Sequence, residues 1–489
     1  MQTPFFDGFH RRLFGRPKNR LGRQVDALGQ FALDQLRNLF GALLPNAPLS
    51  LNQQAGGIGK NSRERIFTPM VSFWGFLSQV LTPGSSCREA LSRIQAFCRI
   101  NQQTAPGNDT SVWCKARRRL EQSRLEQVHK HVAGQVDSRA PSGALWKGRR
   151  TLLADATTAS MPDTPENQEK WPQHTNQKTG CGFPTMKIVG LFSLASCALL
   201  DFARGALTIH ENDLLYKLKG LFRSGDIFLG DRLYCTFANV CWLKESGVDL
   251  LVRKNASRGE GRTLKRLGAD DRIVEWKRPT NKAGHQGLTK RLWDSLEPAL
   301  RLREVRFQVK AKGYRTRDII LITTLLDADD YPAEELADLY FKRWGIELWF
   351  DDIKTSMQMD VLRCKCPEMI EKELLMHMIA YNLIRSVMQD ASTINHQPLE
   401  ELSFKGTVDR LKQWIWPIMT AGSAAQRNRM SEQLLVDIAS DKLPQRPGRY
   451  EPRARKRRPK AFPVMVKPRE EYRDDFLTKR EEDIAAISC

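Results

Sequence analysis

The stretch RTLLADATTA, residues 150–159, sets one carboxylate, Asp155, inside an otherwise apolar, β-prone run. An ionised carboxylate in such a strand is costly unless it is paired or binds a cation. The same texture continues in MKIVGLFSLASCALLDF (186–202) and, after the helical stretch ENDLLYKLKGLF (211–222), in DIFLGDRLY (226–234). That last run carries a second carboxylate, Asp231, at the end of its apolar part. A further helix and the strand VDLLVRK (248–254) follow.

Three strands, a helix, a strand, a helix and a strand match the order of a ribonuclease-H-like mixed sheet, so the expected fold class is α+β. Upstream, residues 27–140 show apolar positions at helical spacing, punctuated by TPGSS (82–86) and APGNDTS (105–111). We therefore expect a helical N-terminal DNA-binding domain over 1–140 and the first part of the core over 141–254. A β-rich insertion is expected over 255–316, carrying RIVEWKR and LREVRFQVK. The strand DIILITTLL (318–326) resumes the core, whose second part is expected over 317–392. A helical C-terminal region with a basic tail is expected over 393–489. No internal repeat of fixed period is visible.

The chain has 489 residues and a formal charge of +21, an excess that implies a polyanionic partner, with nucleic acid first. Its longest strongly apolar run, 188–200, is too short to span a bilayer, and the N-terminus reads as no signal peptide, so a cytoplasmic protein is expected. The ten cysteines show no CxxC pair and read as reduced packing residues. His174 and His210 are isolated, and no phosphate-binding GxxxxGK[ST] loop is present, so neither triad hydrolysis nor a nucleotide-driven motor is supported.

Asn108, Asp109, Thr110 or Ser111 can cap a helix running SVWCKARRRLEQSRLEQVHKHV, whose early turns carry Lys115, Arg117, Arg118 and Arg119. Such a helix suits a DNA groove or phosphate backbone. Eight of the fifteen residues in RPGRYEPRARKRRPK (446–460) are Lys or Arg, which suits non-specific phosphate contact.

The stretch YFKRWGIELWFDDIK (340–354) reads as one amphipathic helix. Tyr340, Arg343, Glu347 and Lys354 fall within a wedge of roughly 60° on its wheel. Ile346, Trp349, Phe350 and Ile353 form the opposite, buried stripe. Asp155, Asp231 and Glu347 then make three carboxylates from two strands and a helix of one sheet-forming region. Such a set can hold two Mg²⁺ for phosphoryl transfer. Asp163, Asp226, Asp351 and Asp352 remain candidates on spacing alone, Asp351 most of all because it shares the Glu347 face.

At these residues the chain resembles a known family. Tyr340, two residues, Arg343, three residues, Glu347, six residues and Lys354 fit the YREK signature of the DDE transposases of bacterial insertion sequences of the fourth family. The runs DATTASMPDTPEN (155–167), GDIFLGDRLY (225–234) and FTPMVSFWGFLSQVL (67–81) are also similar to that family. The resemblance implies a ribonuclease-H-like catalytic core with a β-rich insertion before the Glu, and DNA cleavage and strand transfer with two Mg²⁺, for which Mn²⁺ can substitute. It matches Asp155, Asp231 and Glu347 to the metal-binding catalytic triad. It also implies that Arg343, Lys354 and Tyr340 contact phosphates and that Trp344 stacks on an extruded base, a role for which Trp276 and Trp293 are further candidates. The implied partners are transposon-end inverted repeats and target DNA, met by a homodimer in a synaptic complex near the bacterial nucleoid.

Two other functions fit parts of the pattern. A ribonuclease-H-like nuclease or resolvase would cut without joining, and needs neither the insertion nor the YREK helix. A domesticated, non-catalytic DNA-binding protein would be expected to have lost an acidic residue, whereas all three are present.

Overall fold

The computed structural model describes residues 67, 69–82, 84–100, 105–280, 288–308, 318–420, 423–444 and 464–487. Most of the N-terminal region expected to be helical and the whole basic tail 446–460 lie outside these residues. Four helices open the described chain: α1 (Pro69–Leu81), α2 (Cys87–Ile100), α3 (Thr110–Arg118) and α4 (Gln122–Ser138). Asp109 caps α3, its side chain accepting from the Ser111 amide at 2.8 Å. The single helix expected from Ser111 onward is instead α3 and α4, with Glu121 extended at the start of the second. The turn lets Leu120 and Leu125 both enter the core, which one straight helix through a basic stretch would not require.

The strands β1 (Thr151–Ser160), β2 (Thr185–Ser193), β3 (Leu199–Ala206), β4 (Ile227–Gly230) and β5 (Asp249–Arg253) follow, with α5 (Pro165–Lys170), α6 (Glu211–Lys217) and α7 (Phe237–Glu245) between them. The first half of β1 and all of β4 are buried, as apolar runs in a sheet covered on both faces should be. Next come β6 (Arg262–Arg266), β7 (Asp271–Lys277), α8 (Lys290–Ser295), β8 (Ala299–Gln308) and β9 (Asp318–Thr323).

All nine strands form one mixed sheet in the order β3-β2-β1-β4-β5-β9-β8-β7-β6. β1 is antiparallel to β2 and parallel to β4, and β4 is parallel to β5. β9 lies antiparallel to both β5 and β8, so the expected insertion prolongs the same sheet through β9. The edge strand β6 is exposed along its whole length and carries Arg262, Lys265 and Arg266. Charge of this kind protects an edge from pairing with another chain.

The stretch read as one helix from Tyr340 to Lys354 is built in four pieces. These are α9 (Ala333–Phe341), a 3₁₀ turn (Lys342–Trp344), α10 (Gly345–Asp351) and a π turn (Asp352–Ser356). The expected buried stripe is present, with Ile346, Trp349, Phe350 and Ile353 all buried. Trp349 and Phe350 meet Phe192 of β2 with ring centroids 5.5 Å and 5.1 Å apart. Gly190 makes that docking possible, because a Cβ there would stand 3.0 Å from Phe350 Cζ. Gly190 is also the residue paired with Asp155 across the β1–β2 ladder.

Behind this segment runs α11 (Pro367–Ile394), buried along most of its length. Its Asn382 grips the start of β3, accepting from the Leu199 amide at 3.0 Å and donating to the Leu199 carbonyl at 2.9 Å. The helices α12 (Phe404–Thr420), α13 (Ala424–Ser440) and α14 (Arg469–Ile487) complete the described chain.

Candidate active site

Asp155 sits midway along β1, where the strand changes from fully buried to half-buried. Its Oδ1 accepts from the Ala156 amide at 2.8 Å. Burial is the main force pushing its carboxyl up to about 6, and Asp231 and Glu347 push it further. The Ala156 amide and Arg343 pull the other way. Residues from a strand, a strand end and a helix thus act on one carboxyl group.

Asp231 follows directly on Gly230, the last residue of β4, and its Oδ1 accepts from the Leu233 amide at 2.8 Å. This short turn holds the carboxylate at the strand end. Glu347 lies in the first turn of α10. It is 54% exposed and accepts from Arg343 Nη2 at 3.1 Å, while Arg343 is only 8% exposed. Tyr340 is buried beneath Arg343, whose guanidinium carbon lies 5.8 Å from the ring centroid. Burial pushes the Tyr340 hydroxyl up to about 12, with Asp231 adding to the effect, so it stays a donor at neutral pH. Lys354 is half-buried in the π turn. Trp344 is exposed at the surface, edge-on to Phe341 at 6.1 Å.

The competing carboxylates have other attachments. Asp226 is buried and paired with Arg150 at 2.6 Å, and Asp352 with Arg385 at 2.6 Å. Asp163 accepts from Gln168 at 2.8 Å, and Asp351 from the Thr355 hydroxyl at 2.6 Å. The carboxylates with the largest effect on Asp155 are instead Asp231 and Glu347.

Among the described residues, no three His, Cys, Asp or Glu side chains stand close enough to hold one metal ion together. The three carboxylates nonetheless offer the oxygen donors that a hard divalent cation takes: burial, then repulsion by the charges of Asp231 and Glu347, raises Asp155, and Glu347 rests on an arginine. A cation would relieve that repulsion.

Two expectations need correction. Arg117, expected to face DNA with its neighbours, is buried beneath Phe76 with its guanidinium carbon 4.9 Å from the ring centroid. It shares the inward face of α3 with Trp113 and Ala116, whereas Lys115, Arg118 and Arg119 are exposed. Trp276 and Trp293 are both buried in the core, and Arg258 covers the Trp276 ring at 4.2 Å, so neither is presented to a base.

Sequence reading also missed two neighbours of the site. Glu211 opens α6, and burial pushes its carboxyl up with Asp231 adding to it. Tyr234 is fully buried, its hydroxyl has no hydrogen-bond partner among the described residues, and burial raises it well above the ordinary value with help from Asp155, Glu211 and Asp231. A tyrosine three residues beyond a strand-end aspartate was the available signal.

Residues 146–383 match the transposase DDE domain, a span that contains the three carboxylates and the segment bearing Glu347. The protein is accordingly a DNA transposase of the DDE class, which catalyses DNA cleavage and strand transfer and as a class uses divalent metal ions. The transposase InsG for insertion sequence element IS4 of Escherichia coli K12 is 27% identical over 462 residues, 91% of this chain and 98% of that protein. The transposase for insertion sequence element IS421 of Escherichia coli is 36% identical over 81 residues, 17% of this chain and 22% of that protein. The piggyBac transposase synaptic complex with hairpin DNA shares 11% identity at a TM-score of 0.38, covering 84% of each chain. The matched domain and the similarity to the IS4 transposase along 91% of the chain support an IS4-family DDE transposase.

Proposed function

We propose that Asp155, Asp231 and Glu347 are the catalytic carboxylates and that they hold two Mg²⁺ while the chain acts on the terminal inverted repeats of its own element. The observation that carries this reading is the joint action of Asp231, Glu347 and Arg343 on the buried carboxyl of Asp155. The sheet order supports a ribonuclease-H-like core, with β1 central, β2 and β3 antiparallel on one side, and β4 and β5 parallel on the other.

Asp155, Asp231 and Glu347 would hold the ions, whose bound charge would supply activation of a water or 3′-hydroxyl and stabilisation of the leaving oxygen. The protein's own groups do the rest. Arg343 releases Glu347 and turns its planar fork to a DNA phosphate, which Lys354 and the Tyr340 hydroxyl also hold. Trp344, exposed one residue from Arg343, stacks on a base drawn out of the duplex. Lys115 and Arg118 on α3 and Arg119 at its C-cap contact the backbone of the bound end, with Arg117 supporting the helix from within. Two chains pair the two ends in a synaptic complex, and the work is done in the bacterial cytoplasm at the nucleoid. No helix of the described residues is long and apolar enough to cross a membrane.

Incubation with DNA carrying the flanking element ends, a plasmid target and Mg²⁺ or Mn²⁺ tests the proposal. End-to-target joined products are expected with either ion. Nicked ends that never join would instead indicate a nuclease, and bound but uncut ends a non-catalytic binder.

A further inference from the structure

Away from the carboxylates, the N-terminal helices meet the segment that follows the π turn at a cavity of about 600 Å³. Its lining includes Cys87, Cys114, Cys364, Cys366, Arg117 and His377. Cys87 opens α2 and Cys114 lies on α3. Arg117 reaches between them: its Nη2 stands 3.1 Å from Cys87 Sγ and 3.7 Å from Cys114 Sγ, and its Nη1 3.9 Å from Cys364 Sγ. Among the described residues its side-chain polar contacts are all to sulfur, and its Nε has no partner. Glu373, the nearby carboxylate, is engaged with the backbone amides of Arg363 and Cys364.

A buried guanidinium without a carboxylate favours a thiolate beside it, because an uncompensated buried charge is costly. Burial holds the Cys87 thiol above its ordinary value and Arg117 only partly offsets it, so the pair is singled out by its geometry and exposure rather than by acidity. Burial pushes the Cys364 thiol well above its ordinary range, which leaves that thiol inert. Cys87 and Cys114 are both half-exposed, and their sulfurs are already in contact at 3.8 Å. A disulfide needs about 2.05 Å, so each sulfur has only about 1 Å to travel.

We propose that Cys87 and Cys114 are a site of reversible oxidation, closing to a disulfide with hydrogen peroxide and so tethering α2 to α3. One sulfur, as thiolate, attacks peroxide; the O–O bond breaks, hydroxide leaves and is protonated to water, and the sulfur becomes a sulfenic acid. The second sulfur attacks the first, the S–S bond forms, the S–O bond breaks and a second water departs. Two thiols are oxidised by two electrons in all, and one peroxide is reduced to two waters. A dithiol reductant reverses the change.

The test treats the purified full-length chain with a small excess of hydrogen peroxide, alkylates it without reduction and maps its peptides by mass. The expected product is one linked peptide pair containing Cys87 and Cys114. It should disappear on dithiothreitol treatment and in Cys87→Ser or Cys114→Ser, persist in Cys364→Ser, and form more slowly in Arg117→Met. Cys87 and Cys114 alkylated as free thiols while other cysteines oxidise would overturn the proposal. So would either thiol advancing to sulfinic acid without forming the link. Serine is close to cysteine in size, and a circular dichroism melt of each variant confirms that a missing link does not reflect a missing fold.

Discussion

Two arginine–carboxylate pairs share the segment that carries the candidate site, and their surroundings separate their roles. Arg385 and Asp352 meet at 2.6 Å with side chains 5% and 21% exposed. Arg385 also donates to the Tyr381 hydroxyl at 3.0 Å and lies 5.0 Å from the Phe404 ring centroid. Burial pushes the Asp352 carboxyl up to about 6, against the pull of Arg385. Arg343 and Glu347 meet at 3.1 Å, but Glu347 is 54% exposed. The first pair fastens the π turn to α11. The second lends an arginine to a carboxylate that solvent, and on our reading DNA and metal, can reach. Buried pairs resist loss of one partner, whereas exposed pairs contribute little to stability and can be exchanged.

The largest expected effect is on chemistry at the exposed pair. Glu347→Gln should slow end nicking by several kcal/mol of barrier, on the order of 10⁴-fold. Its urea unfolding midpoint should fall much less than that of Asp352→Asn, because Glu347 faces solvent and the substituted amide keeps a carbonyl that can accept from the buried Arg343. A large stability loss would erase the distinction between the two pairs.

Asp352→Asn should do the reverse. It strands the buried Arg385 guanidinium and should cost about 3–5 kcal/mol of stability in the same unfolding assay. An unchanged midpoint would mean that the π turn is held by packing alone.

How much of this was legible beforehand depends on which force decides each feature. The strands were legible because continuous apolar runs leave little choice, and Asp155 and Asp231 stood out as charges within or closing such runs. Glu347 stood out through its spacing from Tyr340, Arg343 and Lys354, and its buried stripe through simple periodicity. The breaks at Lys342–Trp344 and Asp352–Ser356 were not legible, because residues distant in sequence set them: Phe192 and Gly190 beneath α10, Arg385 behind Asp352. Arg117 misled for a related reason. Its charge suggested solvent, yet Trp113, Ala116, Arg117 and Leu120 fall on one buried stripe, and sulfur contacts from three separate stretches receive it.

A smaller effect should divide the steps of the reaction. Arg343→Lys keeps the charge but loses the planar fork. First-strand nicking should persist, while joining, which must align a 3′-hydroxyl with a second strand, should fall roughly 100-fold, the scale of a 1 Å misplacement. Accumulated nicked, unjoined DNA is the expected gel pattern. Equal loss of both steps would put Arg343 in the immediate architecture of the carboxylates.

The smallest effect is on stability at Asp155. Its folded carboxyl titrates near 6, above the ordinary 3.8, so the cost of burying it ionised is fully present above about pH 6 and vanishes below about pH 4. With divalent ions chelated, Asp155→Asn should therefore be more stable than the parent at pH 7.5, by on the order of 2 kcal/mol. The advantage should shrink steadily as the pH falls toward 4, and a gap independent of pH would assign it to packing.

The central claim is that Asp155, Asp231 and Glu347 act as one cation-holding set, distinct from the carboxylates beside them in sequence. Titration of Mn²⁺ into the chain bound to element-end DNA, with free Mn²⁺ followed by electron paramagnetic resonance, tests it most directly. Two bound ions are expected for the parent chain and for Asp351→Asn, with binding weakened or lost in Asp155→Asn, Asp231→Asn and Glu347→Gln. Intact binding in Glu347→Gln together with lost binding in Asp351→Asn would contradict the account.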